Sequence, residues 1–148
     1  MTVTDAPALA ALADREAIRA LLARYAIAVD RKDLAMVAGC FTEDCTYDGA
    51  LGQGTIADAL RALAAAFARY ARTMHVMGTQ LVELAGDRAN AETYCVAYHV
   101  HADGRQRTVG VRYLDALVRT DDGWQIRGRV VRTDWTRDDA PSSSGQPA

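Results

Sequence analysis

Two residues far apart in the sequence carry side chains that could move protons together. Asp30 ends a predicted helix in YAIAVDRKD, and His75 lies near the start of a predicted strand in TMHVMGT. A carboxylate bonded to one imidazole nitrogen fixes the tautomer, leaves the other nitrogen as a proton acceptor and stabilises the cation that forms. Because burial disfavours a lone carboxylate and a lone imidazolium, a shared apolar cavity would favour catalysis by this pair.

Other interpretations of the same residues remain open. Asp30 can simply end a helix or shape the turn in DRKD, and a single histidine in a strand is often a packing residue. His99 and His101 have the i, i+2 spacing that metal sites use, with His75 as a third ligand, but no neighbouring carboxylate completes a familiar set. No G-x-G-x-x-G or Walker A motif and no lysine placed for a Schiff base is present. We therefore expect neither a metal nor another cofactor.

Three predicted helices precede the strands. They cover residues 14–30, 34–41 and 56–72. Asp14 and Asp33 are the expected N-caps of the first two, and Thr55 with Asp58 has the spacing of a capping box for the third. The first helix has an apolar stripe at three- and four-residue steps, which consists of Ile18, Leu21, Leu22, Tyr25 and Val29.

After residue 72 the apolar period changes from helical to alternating. Strands are predicted at 73–84, 90–102, 106–119 and 123–136, with CTYDG as a short addition and LGQG (51–54) as a turn. Helices followed by a strongly twisted sheet predict an α+β domain, in which the mixed or antiparallel sheet curls around the helices and encloses a cone-shaped pocket. We expect a single domain over 1–148, with its core at about 12–137 and a disordered tail at 138–148.

Strand parity predicts which side chains line this pocket. On the second strand, one face is small and polar and consists of Ala91, Thr93, Cys95, Ala97, His99 and His101. On the last strand, the shared face consists of Arg127, Arg129, Val131, Thr133 and Trp135. The opposite face of the second strand carries Tyr94, Val96 and Tyr98 and is apolar enough to need a cover, so we expect a homodimer or homotrimer.

Composition excludes several classes of function. The chain has 148 residues, 50% of them hydrophobic, and a formal net charge of −2 with no extended basic face. Nucleic acid and membrane surfaces are therefore not expected partners. Three cysteines without C-x-x-C spacing favour the reducing cytoplasm, and we expect no secretory leader.

The order of elements and several motifs resemble a known family. FTEDCTYDG, the histidine-bearing strand and the closing DGWQIRGRVVRTDW are similar to a SnoaL-like domain of the NTF2-like superfamily, over about residues 12–137. Within it, YAIAVDRKD and TMHVMGT resemble the segments that carry the Asp and His dyad of scytalone dehydratase and hexachlorocyclohexane dehydrochlorinase. The resemblance places the dyad on Asp30 and His75.

The resemblance also implies roles for four further residues. Arg129 matches an active-site arginine of the dehydrochlorinase, and Tyr25 matches a tyrosine that bile-acid dehydratases place five residues before the aspartate. Tyr47 falls near a pocket tyrosine, and His99 matches a second pocket histidine, although His101 has the same parity. Arg127 is the alternative to Arg129, since both have the same parity.

Together these residues predict a cofactor-independent lyase of dehydratase or dehydrohalogenase type that acts on a small hydrophobic aromatic or alicyclic substrate. His75 would remove a proton beside a carbonyl or leaving group, while Arg129 and a donor such as Tyr25, Tyr47 or His99 assist departure. An isomerase or cyclase of polyketide or steroid type, and a module that binds a small ligand without chemistry, remain alternatives.

Overall fold

The structure, a computed structural model, describes residues 5–141 and contains three helices and six strands in that range. In chain order these are α1 (Asp5–Asp30), α2 (Leu34–Ala38), β1 (Phe41–Gly49), β2 (Gly52–Thr55), α3 (Ile56–Phe67), β3 (Arg72–Ala85), β4 (Arg88–Val100), β5 (Gln106–Thr120) and β6 (Gly123–Asp139). The strands form one open sheet in the order β2-β1-β6-β5-β4-β3, in which only β1 and β6 are parallel neighbours. The predicted α+β class is confirmed.

Two of the three predicted helix starts are confirmed by their caps. Asp33 accepts a hydrogen bond from the backbone N–H of Met36 at 2.9 Å. Thr55 and Asp58 form the predicted capping box at the start of α3. The prediction for Asp14 is wrong, because the Ala- and Leu-rich segment before it is helical and places Asp14 inside α1.

The carboxylate of Asp14 instead ties α1 to the sheet. It accepts hydrogen bonds from the indole N–H of Trp124 at 3.1 Å and from the guanidinium of Arg119 at 2.7 Å. The predicted apolar stripe of α1 is buried, with Ile18 and Leu22 fully enclosed. Because α1 packs along β3, its last residue arrives beside that strand.

The segment between the second and third helices forms more strand than predicted. Phe41, assigned to the second helix, begins β1, where it pairs with Ile126 of the parallel strand β6. LGQG is not only a turn, because residues 52–55 form β2 and pair with β1. Two of these four residues are glycines, so the sequence shows no alternation of side chains that would predict a strand. α3 also ends at Phe67, earlier than predicted, as the chain turns into β3.

The inner face of β4 is the one predicted, since Ala91, Thr93, Cys95 and Ala97 are buried there. On β6 the predicted shared face holds for Arg129, Val131 and Thr133 and is wrong for Arg127 and Trp135, which are exposed. Register shifts against β5 lie between Gly110 and Val111 and between Ala116 and Leu117, and bulges of this kind reverse strand parity. Exposed apolar side chains lie on the outer face, namely Met74, Val76, Tyr94, Tyr98 and Trp135.

β6 continues to Asp139, so the expectation of a disordered tail is wrong for residues 138 and 139. The last part of that predicted tail, residues 142–148, lies outside the described residues. Between residues 5 and 141, none of the helices has the combination of length and hydrophobicity needed to cross a membrane.

Candidate active site

The structure brings Asp30 and His75 into direct contact. His75 Nδ1–H donates to Asp30 Oδ1 at 2.7 Å, and the backbone N–H of His75 donates to Asp30 Oδ2 at 2.8 Å. The hydroxyl of Thr73 donates a further hydrogen bond to Oδ1 at 2.8 Å. Because a carboxylate only accepts, this arrangement places the proton of a neutral imidazole on Nδ1 and leaves a lone pair on Nε2.

These hydrogen bonds keep Asp30 ionised. Burial alone would raise the pKa of the Asp30 carboxyl, but the hydrogen bonds from the ring and backbone of His75 and from Thr73 outweigh it, and the pKa lies below its ordinary value. The side chain of His75 is 8% exposed and that of Asp30 24%. The pair therefore consists of a nearly enclosed imidazole and a carboxylate that is held in its charged form.

His75 lines a cavity of about 340 Å³ between the helices and the inner face of the sheet. The deeper lining consists of Tyr25, Tyr47, Ala97, Val111 and Tyr113, all buried, and the outer lining includes the exposed residues Ala50, Arg69, Arg107, Thr133 and Thr136. No aspartate or glutamate is among the lining residues, which all belong to the described part of the chain. A mainly apolar molecule with a few polar groups matches this lining.

The two tyrosines predicted from the resemblance both line the cavity. Burial raises the pKa of Tyr25, and it raises that of Tyr47 to about 12. Both phenols are therefore protonated at neutral pH, which makes them hydrogen-bond donors rather than bases. The Tyr25 ring is held edge-on between Phe41 and Tyr113, with centroid distances of 5.8 Å to each.

Arg129 lies behind the cavity and not in its wall. Its guanidinium donates two hydrogen bonds to Asp115, at 2.7 and 2.9 Å, and the side chains of both residues are 0% exposed. The guanidinium carbon lies 4.1 Å from the ring centroid of Tyr25 and 4.4 Å from that of Tyr113. Two lining tyrosines cover the guanidinium. The expectation that Arg129 contacts a departing group directly is therefore corrected.

Burial alone would lower the pKa of Arg129, but the attraction of Asp115 outweighs it and the pKa is raised. Nη1 of Arg129 has no hydrogen-bond partner within residues 5–141 and lies among aromatic rings. Arg127, the alternative candidate, is exposed and lies 3.5 Å from Asp44.

His99, not His101, lines the cavity with His75. Burial, together with the nearby His75, lowers the pKa of His99. Its Nδ1–H donates to the backbone carbonyl of Arg107 at 3.3 Å, so Nε2 is an acceptor in the neutral ring. His101 lies just beyond β4, with its ring centroid 4.8 Å from that of Tyr70, and lines the adjoining recess instead. In the described residues, no three His, Cys, Asp or Glu side chains are grouped closely enough to hold a metal ion.

The SnoaL-like domain family matches residues 10–130. The chain belongs to this family. An uncharacterized protein of Mycobacterium tuberculosis is 32% identical over 127 residues, which cover 82% of this chain and 86% of that protein. The predicted membership of the SnoaL-like and NTF2-like group is confirmed.

Solved structures give the same fold for this SnoaL-like domain. A type 2 hexachlorocyclohexane dehydrochlorinase has a TM-score of 0.81 at 20% identity, over 94% of this chain and 97% of that chain. A protein from Novosphingobium aromaticivorans with a provisional scytalone dehydratase name has a TM-score of 0.80 at 21% identity, over 91% of this chain and 97% of that chain. At these identities the likeness establishes the NTF2-like cone fold.

Sequence reasoning missed two polar residues of the SnoaL-like domain, one that donates a hydrogen bond to Asp30 and one that pairs with Arg129. Thr73 precedes His75 by two positions and therefore shares its strand face, which is the signal that could have identified it. Asp115 shares a strand face with Val111, Tyr113 and Leu117, and a carboxylate on an otherwise apolar face requires a buried partner.

Proposed function

We propose that this SnoaL-like domain is a cofactor-independent lyase of dehydratase or dehydrohalogenase type. The single observation that carries the proposal is the 2.7 Å contact between Asp30 and a histidine that lines a cavity. A binding module has no need of this pair, whereas proton abstraction needs an imidazole with one nitrogen oriented and the other free. The carboxylate stabilises the imidazolium that forms on proton transfer.

In the proposed elimination, His75 Nε2 takes a proton from a carbon next to a carbonyl. The electron pair of the broken C–H bond forms a C=C bond, and the bond to the leaving group breaks with its electrons. A halide leaves as the anion, and the imidazolium of His75 then releases its proton to solvent. A hydroxyl group instead takes the proton back from the imidazolium of His75 and leaves as water. The phenols of Tyr25 and Tyr47 are protonated and line the same cavity, so they are the proposed donors to the carbonyl or the leaving oxygen.

Arg129 has an indirect role in this proposal. Its charge lies 4.1 Å from the Tyr25 ring, and it favours the ionised form of that phenol relative to burial alone. We therefore assign Arg129 as a positioning residue that acts through Tyr25. The names of the two structural neighbours, a dehydrochlorinase and a provisional dehydratase, support the lyase class. The apolar lining supports a small hydrophobic cyclic substrate.

An isomerase remains the second candidate because two imidazoles face one cavity. The ring centroids of His75 and His99 are 5.9 Å apart, and Nε2 of a neutral His99 accepts protons. One base can remove a proton while another group returns it to a different carbon, with nothing leaving.

The test is mass spectrometry of the protein incubated with hydroxylated and halogenated cyclic ketones in deuterated water. A lyase converts a member of the panel with loss of water or hydrogen halide, and His75→Ala lowers the rate by ~10²- to 10⁴-fold. Val76→Ala is the matched control, because the neighbouring side chain is on the outer face. Deuterium uptake and rearrangement without loss of a group would instead support the isomerase. Turnover that is unchanged in His75→Ala would remove the pair from the mechanism.

A further inference from the structure

The inner cavity adjoins a second recess, and the boundary between them is positively charged. The outer recess has a volume of about 300 Å³ and shares Arg69, Tyr70 and Arg107 with the inner cavity. His101 and Arg105 continue its wall. A molecule whose ring reaches His75 therefore has a continuous path past these guanidinium groups to solvent.

The acidic residues of the outer recess are already paired. Asp138 accepts two hydrogen bonds from Arg107, at 2.7 and 2.9 Å, and Asp139 accepts one from Arg137 at 2.8 Å. Arg105 is likewise engaged by Asp103 at 2.7 Å. Each carboxylate on this rim is therefore balanced by its own arginine.

Arg69 is different, because its guanidinium has no hydrogen-bond or ion-pair partner anywhere in residues 5–141. Among the described residues it is also one of two arginines that line the inner cavity, and the other, Arg107, is held by Asp138. None of the lining side chains is acidic, and the carboxylates closest to the lining, Asp30 and Asp138, are already held by His75 and Arg107. Arg69 is therefore the lining cation that is left to attract an entering anion.

The turn that carries Arg69 is firmly anchored. Its backbone N–H donates to Ala66 at 3.0 Å, and the N–H of Ala71 donates to the carbonyl of Val100 at 2.8 Å. Between them, the carbonyl of Tyr70 accepts a hydrogen bond from Lys32 Nζ at 2.7 Å. Lys32 itself has a φ of 57°, a conformation that is uncommon for a residue other than glycine. The base of the Arg69 side chain is thus held in place before any ligand arrives, which lowers the entropic cost of binding.

We propose that Arg69 recognises an anionic oxygen group, a carboxylate or a phosphate, on the substrate. The planar guanidinium suits both groups, because it presents parallel N–H donors to two oxygens. The substrate class is then a cyclic, mainly apolar compound with one anionic substituent, whose ring occupies the inner cavity while the anion lies at the boundary with the outer recess. This inference rests on the proposed function in taking the inner cavity as the reaction site.

A binding experiment tests this proposal without requiring turnover. The probes are naphthylacetate and naphthyl phosphate, which are anionic, and naphthylethanol, which is neutral and similar in shape. We expect calorimetric titration to show that the protein binds an anionic probe about three- to tenfold more tightly than the neutral one, with a smaller preference at high salt. A stronger preference for either anionic probe identifies which anion the substrate carries.

Arg69→Gln should abolish the preference and leave the affinity for naphthylethanol unchanged. Arg61→Gln is the matched control, since Arg61 lies on α3, outside the lining of both recesses, and pairs with Asp58. A preference that survives in Arg69→Gln, or a wild-type protein with no preference or no affinity for the anionic probes, overturns the proposal.

The outcome is distinguishable from failure of the lyase proposal. His75→Ala should keep the preference for the anionic probe while it loses turnover. A retained preference in a protein that never eliminates water or halide would reject the lyase alone. Elimination from neutral substrates with no anionic preference would reject the role of Arg69 alone.

Discussion

Two buried or partly buried carboxylates of this SnoaL-like domain each bind a nitrogen-bearing side chain. The first pair lies at the wall of the cavity, and the second lies behind it. Asp30 binds His75 at 2.7 Å, and Asp115 binds Arg129 at the same distance. The side chains of the first pair are 24% and 8% exposed, whereas those of the second are both 0% exposed. Similar hydrogen bonds therefore occur in two very different settings.

The two pairs have different roles, because only one of them contains a side chain that can accept a proton. A neutral imidazole bound through one nitrogen keeps a lone pair on the other that can accept a proton, and His75 lines the cavity, whereas a guanidinium has no lone pair to offer. The Asp115–Arg129 pair also supports the rings of Tyr25 and Tyr113 from behind. We infer that the first pair acts on substrate and that the second shapes the cavity.

The largest expected effect comes from neutralising the carboxylate of the first pair. Asp30→Asn should lower turnover by ~10²- to 10⁴-fold, because the amide no longer stabilises the imidazolium and can favour the wrong tautomer. Asp121→Asn, in the exposed turn before β6, is the control. Steady-state kinetics on the substrate found by mass spectrometry provides the measurement. A rate within twofold of the wild type would show that Asp30 has no part in catalysis and that the first pair, like the second, is structural.

The second pair should matter for stability instead. Asp115→Ala leaves a buried guanidinium unpaired and should lower the free energy of unfolding by about 3–5 kcal/mol in urea denaturation. Asp44→Ala, which removes the exposed partner of Arg127, should leave it nearly unchanged.

Replacing both partners, with Asp115→Leu and Arg129→Met, should recover much of the lost stability because no unpaired charge remains. If Asp115→Ala unfolds at the same urea concentration as the wild type, the ion pair is not structural.

Thr73 sharpens the comparison because it belongs only to the first pair. Thr73→Val removes one of three hydrogen bonds to Asp30 and should raise the pKa of that carboxyl and lower turnover by about three- to tenfold. Thr79→Val, an exposed change on the same strand, serves as the control. NMR titration of the Asp30 carboxyl carbon measures the pKa. An unchanged pKa of Asp30 in Thr73→Val would show that Thr73 does not stabilise the carboxylate.

The smallest expected effect is a dependence of stability on acid. The pKa of Asp30 in the folded protein is lowered below the ordinary value of 3.8, so the folded state favours the ionised carboxylate. The resulting stabilisation is complete above the unfolded-state pKa and is lost as the pH falls through the folded-state pKa. Urea denaturation from about pH 6 to about pH 3 should show a shallower loss of stability in Asp30→Asn than in the wild type. Parallel curves would show that Asp30 titrates alike in both states.

Local signals predicted much of the fold. The caps at Asp33 and Thr55, the buried stripe of α1 and the inner face of β4 are confirmed, because each depends on neighbours a few residues away. The predicted start of α1 was wrong because the Ala- and Leu-rich segment before Asp14 is itself helical, and β2 was read as a turn because its glycines give no alternation of side chains. The placement of Arg127 and Trp135 on β6 was wrong for another reason, since it depends on register shifts against β5.

The candidate site shows the same division. The sequence by itself determined which side chains could exchange protons and that His75 and Thr73 share one strand face. Only the tertiary structure decided that the end of α1 lies against β3, that Arg129 is covered by tyrosines and that Arg69 has no partner within residues 5–141. The physical reason is that a hydrogen bond or an ion pair depends on distances of a few ångströms, which the packing of whole elements sets and which local periodicity does not encode.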